Sequence, residues 1–359
     1  MDSKSNSRFI DKYYNSSKLL KHLDRLHMWD KEGYTFPVQA YFEITDACNH
    51  KCPECTYPGK RNFSMKIEKA LNVVSQLKEM QVRSVTISGG GEPTCHPNLR
   101  EIIENINKKN MEVSLITNGH ALTDQTIESV VNCCTWARIS LDANNPEIYK
   151  LTHGMDKNAF NRVLKNISKL IDTKKRLNKN ITVGISYLFG QFSIKELFNA
   201  TNLAKELGVD YIRFKPFLSW GGKKYFADQK EEDIVLNELH KCKSLENDRF
   251  SVSYPKDRCE YGSISQKRTR NFDKCYFRHF LLTIKPDLKV YDCCVLQRNE
   301  KYCLGDLSKN TLREIWLAED RKRAYQKTDF EDCPNPCIFE KHAELLYRIK
   351  QKVPHLNFL

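Results

Sequence analysis

No run in this 359-residue sequence approaches the length of apolar sequence that crosses a bilayer. The opening stretch, MDSKSNSRFIDKYYNSS, lacks the apolar centre of a secretory signal. These two absences argue against a membrane-spanning chain and set a cytoplasmic location as the expectation. There is no internal repeat and no low-complexity tract, so solenoids and disordered arrays are excluded. The net charge is +13, yet no basic stretch is interleaved with aromatics as in a nucleic-acid motif. The Lys and Arg residues fall in short groups such as DTKKRLNKN, GGKKYF and SQKRTRNF. Solvated surface charge is the favoured reading, and a nucleic-acid partner is not.

Against these absences stand fourteen cysteines. In a reducing compartment clustered thiols mean metal or redox chemistry more often than disulfides. Cys95, Cys133, Cys134 and Cys242 read as core residues, because a free cysteine packs as a small hydrophobe. Hydrophobic residues make up 40 % of the chain and charged residues 29 %, the balance of a globular protein.

The hydrophobic rhythm predicts a fold class. Residues 1–36 read as a helical extension, with leucines at helical spacing in SKLLKHLDRLHMW. From residue 39, β-rich runs at 39–45, 84–89, 112–119, 136–142, 182–189 and 211–217 alternate with helical patterns near 66–81, 98–109, 123–134, 157–177 and 193–208. Strand–helix alternation implies right-handed βαβ units around a parallel sheet. An open partial barrel and a doubly wound sheet fit this pattern equally. Both bind ligands at the carboxyl ends of their strands. The expected units are 37–225 for this α/β body, 226–270 for a connecting helix and linker, and 271–359 for a small C-terminal α+β domain.

Directly after the first strand comes EITDACNHKCPECTYPG, with Cys48, Cys52 and Cys55 in a C-x3-C-x2-C spacing. A structural zinc site takes four ligands, and a ferredoxin-type run supplies four cysteines. Three thiolates leave one iron of a cubane without a protein ligand, free to bind a small molecule. Zinc with a fourth ligand such as His50 or a distant cysteine is the alternative. The spacing, its position after the first strand and the six-strand count together resemble the radical S-adenosylmethionine (SAM) superfamily, over roughly residues 39–217. The resemblance implies a partial (β/α)6 barrel and a [4Fe–4S] cluster held by three cysteines and by SAM. It also implies a flavodoxin- or ferredoxin-type electron donor. Many members carry an aromatic just before the third cysteine. Glu54 stands there in this chain, and Tyr57 is the nearby ring.

The run ISGGGEPTCHP follows the second strand. Glycine lets backbone approach a ligand closely, and a neighbouring carboxylate accepts from an ammonium. Gly90, Gly91 and Glu92 match the superfamily segment that holds the SAM amino group. At later strand ends, Thr117 and Asn118, Ser140 and Asp142, and Ser186 suit ribose hydroxyls, although such residues also serve as caps and turn formers. Alternation places Tyr211, Arg213 and Lys215 on one face of the sixth strand, where the SAM carboxylate or an anionic substrate would answer their charge.

A second cysteine-rich region comprises Cys275, Cys293, Cys294, Cys303, Cys333 and Cys337. Four thiols, Cys275, Cys293, Cys333 and Cys337, suit a fully ligated iron–sulfur cluster or zinc. The segment from CYFRHFLLTIKPDLKVYDCC through GDLSKNTLREIW to CPNPC resembles the C-terminal extension of SPASM/twitch radical SAM enzymes. Nothing follows Cys337 as in the longer SPASM form, so the resemblance implies the twitch form with one auxiliary [4Fe–4S] cluster. Cys294 and Cys303 stay open as ligand or packing residues.

The resemblance then implies reductive cleavage of SAM to a 5′-deoxyadenosyl radical, which takes a hydrogen atom from the substrate. An auxiliary cluster accepting the remaining electron gives a net oxidation. A base must take the proton, and Arg213, Lys215 and Arg258 are its candidates. The short stretch before the barrel favours a small molecule, such as a sugar, aminocyclitol or nucleotide derivative, over a peptide. A peptide- or protein-modifying maturase, an RNA-modifying radical enzyme and a non-enzymatic zinc or iron–sulfur scaffold are the alternatives.

Overall fold

Two helical pieces come first among the described residues, a 3-10 turn at Ser16–Lys21 and α1 (Leu23–Glu32), which Gly33 stops with φ of 72°. A computed structural model describes residues 15–53, 55, 57, 62–190, 193–216, 229–254, 270–319, 321, 330–334, 337–352 and 354. Strand and helix then alternate: β1 (Gln39–Glu43), α2 (Ile67–Glu79), β2 (Ser84–Ser88), α3 (Leu99–Lys108), β3 (Glu112–Thr117), α4 (Asp124–Cys133) and β4 (Cys134–Ser140). Next come α5 (Pro146–His153), α6 (Lys157–Arg176), β5 (Thr182–Phe189), α7 (Leu197–Glu206) and β6 (Tyr211–Pro216). The six strands expected from the sequence are all present, in parallel pairs and in sequence order.

The expected end of the rhythm after residue 225 is corrected in one respect. A further unit follows, α8 (Gln229–Lys243) and β7 (Ser251–Ser253), and β7 pairs parallel to β6. Three residues are too few to register as a strand by pattern.

The C-terminal region begins with the hairpin of β8 (Leu281–Ile284) and β9 (Lys289–Tyr291), to which β10 (Gly305–Asp306) adds antiparallel. This hairpin does not form a sheet of its own. β8 pairs parallel with β1, so the whole is one ten-stranded sheet in the order β10-β9-β8-β1-β2-β3-β4-β5-β6-β7. α9 (Leu312–Leu317) and α10 (Glu340–Lys350) follow among the described residues. Thr311 and Glu314 form a reciprocal cap at the start of α9.

Period-two alternation gives the sheet two unlike faces. One carries Ala40, Phe42, Val85, Ile87, Val113, Leu115, Ala137, Ile139, Val183, Ile185, Ile212 and Phe214, buried in the main core with residues of the helices. Same-handed crossovers between sequential neighbours put the helices that join the parallel strands on this face. The opposite face is polar. On it, Gln39 donates to Thr86 at 3.0 Å, and Thr86 meets Ser114 at 3.0 Å. Further along, Ser140 lies beside Ser186 and Ser186 beside Arg213. A polar face this large is stable only if it lines a wet or ligand-filled lumen. That is the inner surface of a partial barrel, and the strand ends around it position the candidate site.

Candidate iron–sulfur and SAM site

The three-cysteine loop leaves the carboxyl end of β1 and is clamped between two glycines. On one side the backbone N–H of Gly91 donates to Thr45 O at 3.2 Å and that of Glu92 to Ala47 O at 2.8 Å. A Cβ on Gly91 would stand 2.2 Å from Ala47 O, so only glycine admits this approach. On the other side Gly154, with φ of 64°, backs Lys51, whose N–H donates to His153 O at 3.1 Å. Both glycines act on the loop, although only Gly91 lies in the motif read from the sequence. Gly154 follows α5, which the sequence pattern did not reveal.

Within the loop Cys48 and Cys52 are half-buried and Cys55 is exposed. Asn49 accepts from Asn118 Nδ2 at 2.7 Å, tying the loop to the end of β3. Beneath it lies a group of packed rings, of which His50, Tyr149 and His153 are buried and His120 is half-buried. His50 meets His120 at 3.2 Å and Tyr149 at 3.4 Å, and Tyr149 stacks on His153 with centroids 4.3 Å apart. The ligand atoms of His50, Cys52 and His153 lie within 4.8 Å of one another, the geometry a zinc reading would use. Donors to a single ion crowd together in this way, whereas thiols serving separate irons of one cluster stand further apart.

Glu92 is buried and heavily bonded. Its Oε1 accepts from Thr94 N at 3.0 Å, Thr94 Oγ1 at 2.6 Å and Thr117 Oγ1 at 2.5 Å. Among the described residues its Oε2 accepts only from Asn118 N, at 2.7 Å. Burial raises the carboxyl's pKa, and the hydrogen bonds from Thr117, Thr94 and Asn118 oppose that rise. Oε1 is saturated, while Oε2 keeps an acceptor position for an ammonium. The donor set fits the SAM amino group. Gly90 lies under the Tyr57 ring, 3.1 Å from an added Cβ. Glu54 lies outside the described residues.

Ser140, Ser186 and Arg213 form one row across β4, β5 and β6 on the lumen face. Lys215 stands one step further along. Asp142 follows β4 with φ of 47°, a conformation that Asp tolerates better than most residues. Its Oδ1 accepts from Leu188 N at 2.6 Å, and Oδ2 lies 3.9 Å from His153 Nε2. Burial pushes the Asp142 carboxyl up to about 7, against the pull of Leu188 N–H and Lys215. Burial lowers His153 to about 4. Arg258 lies outside the described residues.

In the second cysteine region the pattern of mutual influence is informative. Burial, and after it the Cys337 thiol, raises Cys275 and Cys294 to about 12 and Cys333 to about 11; Cys293 is raised by burial and then by Cys294 and Cys337. Four thiols therefore feel the charge of Cys337, and deprotonating such a set is unfavourable unless a metal takes the charge. Backbone N–H groups already aim at the sulfurs, Val295 at Cys293 Sγ (3.4 Å) and Phe339 at Cys337 Sγ (3.5 Å). Arg278, paired with Asp292 at 2.9 Å and fully buried, adds positive charge beside Cys293 and Cys275. These residues fit an iron–sulfur group. Cys303 turns instead toward Gly305 O, at 3.4 Å. Of the four cysteines read as packing residues, Cys134 and Cys242 are buried, while Cys95 and Cys133 are half-buried.

The two cysteine regions meet through side chains the sequence did not single out. Glu43, the last residue of β1, is buried and accepts from Gln297 Nε2 at 2.7 Å and from Tyr57 OH at 3.3 Å. Gln297 also donates to Cys294 O at 2.9 Å. Glu43 occupies a polar-face position of β1, but its partner lies 254 residues away, beyond the reach of local pattern.

A partial barrel with an open three-thiol loop, a glycine–carboxylate segment beside it and a second thiol cluster at the same end defines a protein of iron–sulfur radical chemistry. Comparison with known proteins agrees. The radical SAM superfamily description matches residues 42–197 and that of an iron–sulfur cluster-binding (SPASM) domain matches residues 275–338. The chain belongs to the radical SAM proteins that carry a SPASM-type domain. Such domains take a [4Fe–4S] cluster with SAM and auxiliary iron–sulfur clusters respectively. The chain is 29 % identical over 218 residues, 59 % of its length and 68 % of the relative's, to a probable GTP 3′,8-cyclase of Saccharolobus islandicus. Its fold is similar to that of SuiB from Streptococcus suis, with a TM-score of 0.67 and 14 % identity over 97 % of this chain and 86 % of that one. SuiB bound to its precursor peptide SuiA gives a TM-score of 0.66 at 15 % identity, covering 95 % and 80 % of the two chains.

Proposed function

We propose that this radical SAM enzyme oxidises a small molecule, a sugar, aminocyclitol or nucleotide derivative, held in the polar lumen. The observation that carries the reading is the bridge from Gln297 to Glu43, which ties the segment after Cys293 and Cys294 to the last residue of β1, where the three-cysteine loop begins. Cys48, Cys52 and Cys55 would hold the SAM-binding cluster, and Cys275, Cys293, Cys333 and Cys337 the auxiliary one. Bound there, these groups and SAM supply a 5′-deoxyadenosyl radical that removes a substrate hydrogen atom, and an acceptor for the remaining electron.

The chain's own residues then position and enclose the reactants. Glu92 Oε2 and Gly90 would receive the amino group of SAM, and Asn118, Ser140, Asp142 and Ser186 lie at strand ends suited to its ribose. Arg213 and Lys215 bring positive charge to the lumen and suit a phosphate or carboxylate. Lys215, close to Asp142, is the better placed of them to move a proton. The relationship to a GTP cyclase supports a nucleotide-like substrate.

The SuiB-like fold supports a second reading, a peptide maturase. Anaerobic incubation with SAM, a reductant and a panel of nucleotides, phosphosugars, aminocyclitols and peptides separates the two. The proposal expects one 5′-deoxyadenosine for each small-molecule product two hydrogens lighter. A cross-linked peptide, or a product of unchanged mass, would overturn it.

A further inference from the structure

One buried carboxylate receives donors from three parts of the chain that lie far apart in sequence. Glu43 ends β1 and is 3 % exposed. Gln297 Nε2, in the segment after Cys293 and Cys294, donates to its Oε1 at 2.7 Å. Tyr57 OH, just beyond Cys55, donates to the same oxygen at 3.3 Å. The backbone N–H of Gly90, in the glycine segment after β2, donates to the carboxylate as well. Gln297 Nε2 also reaches Tyr57 OH, at 3.0 Å.

Each end of this network touches a site residue. The Tyr57 ring lies over Gly90, where an added Cβ would stand 3.1 Å from it, and Gly90 belongs to the same segment as Glu92. At the other end Gln297 is tied to the thiol turn. Its backbone N–H donates to Cys293 O at 3.2 Å and its Nε2 to Cys294 O at 2.9 Å, while Val295 N–H aims at Cys293 Sγ. Arg298, next along that turn, holds its guanidinium 5.1 Å from the centre of the Tyr57 ring. Burial raises the Glu43 carboxyl's pKa, and Gln297, Lys285, Gly90 and Tyr57 oppose the rise. A buried carboxylate depends on its whole set of donors, so the loss of one disturbs the others.

We propose that Glu43, Tyr57 and Gln297 are positioning residues that couple the two sites, so that filling the second thiol cluster tightens SAM at Gly90 and Glu92; the proposal rests on the radical SAM reading. An iron–sulfur group on Cys293 would fix the turn from Cys293 to Gln297. Gln297 then holds Glu43 and Tyr57 in the arrangement that sets Gly90 for the SAM amino group. The coupling is a difference in binding free energy, so it is reciprocal, and bound SAM in turn favours the filled second cluster.

The test is anaerobic equilibrium dialysis of SAM against the reconstituted protein, with iron counted in each sample. Gln297→Leu should weaken SAM binding by about fivefold or more, the low end of couplings between sites, with iron as in wild type. Cys333→Ser/Cys337→Ser, which empties the second cluster, should weaken SAM by a similar factor and leave about four irons. The combination of the two should bind no more weakly than either alone, because both cut one path. Tyr57→Phe keeps the ring, removes the hydroxyl and carries the same expectation; it decides the matter if Gln297→Leu loses iron at the loop. Unchanged SAM affinity in Tyr57→Phe, in iron-replete Gln297→Leu or in the variant without the second cluster would overturn the proposal. Losses that multiply in the combination would also overturn it, by assigning them to separate local effects. No SAM binding by iron-loaded wild type would instead remove the radical SAM reading on which it stands.

Discussion

Gly91 shows at the scale of one residue how tightly the loop is held. A methyl group there would press on the Ala47 carbonyl oxygen at 2.2 Å, and backbone on both sides leaves no room to yield. Gly91→Ala should lower reconstituted iron, measured by ferrozine assay, well below wild type. Glu92→Gln replaces one carboxylate oxygen with a donor facing N–H and O–H donors, and leaves a buried group unsatisfied. It should cost on the order of 1–3 kcal/mol in chemical denaturation and abolish SAM binding measured by equilibrium dialysis. Asp142 gives a pH signature. Its folded pKa, about 7, lies above the ordinary aspartate value of 3.8 because of burial. The stability associated with its protonated form is complete below pH 3.8 and is lost as pH rises toward 7. Asp142→Asn should therefore gain stability over wild type progressively from pH 4 to pH 7, by on the order of 3 kcal/mol. A constant difference across that range in SAM-free denaturation curves would contradict the assignment. The thiols and the Gly90–Glu92 segment were legible because their spacing is local. Glu43, His153 and Gln297 were not, because each gains its meaning from a partner far along the chain.

At the scale of elements, the six parallel strands announced themselves through apolar runs separated by helical periods. Helix α5 did not, since it is eight residues long and begins at Pro146 behind the cap of Asn145, a pattern that reads as a turn. The pairing of β8 with β1 was equally hidden, because strand partners are chosen by tertiary packing. That pairing needs support from α9, whose Trp316 is buried and donates to Thr35 O at 2.8 Å beneath the Arg321 guanidinium. Trp316→Ala should cost about 3–5 kcal/mol and loosen the hairpin. Hydrogen exchange of the amides of β8 and β9 should rise, while that of β3 and β4 stays protected.

For the whole molecule, a single sheet carries both cysteine regions to one end of one lumen, so oxidation and radical generation are expected to share a substrate. The most direct test is iron and sulfide per chain after anaerobic reconstitution, comparing wild type with the variant in which Cys48, Cys52 and Cys55 are all alanine. Two cubanes predict about eight irons in wild type and about four in the variant. About four in wild type and none in the variant would remove the auxiliary cluster and with it the proposed electron acceptor. Zinc without iron would contradict the account at its base.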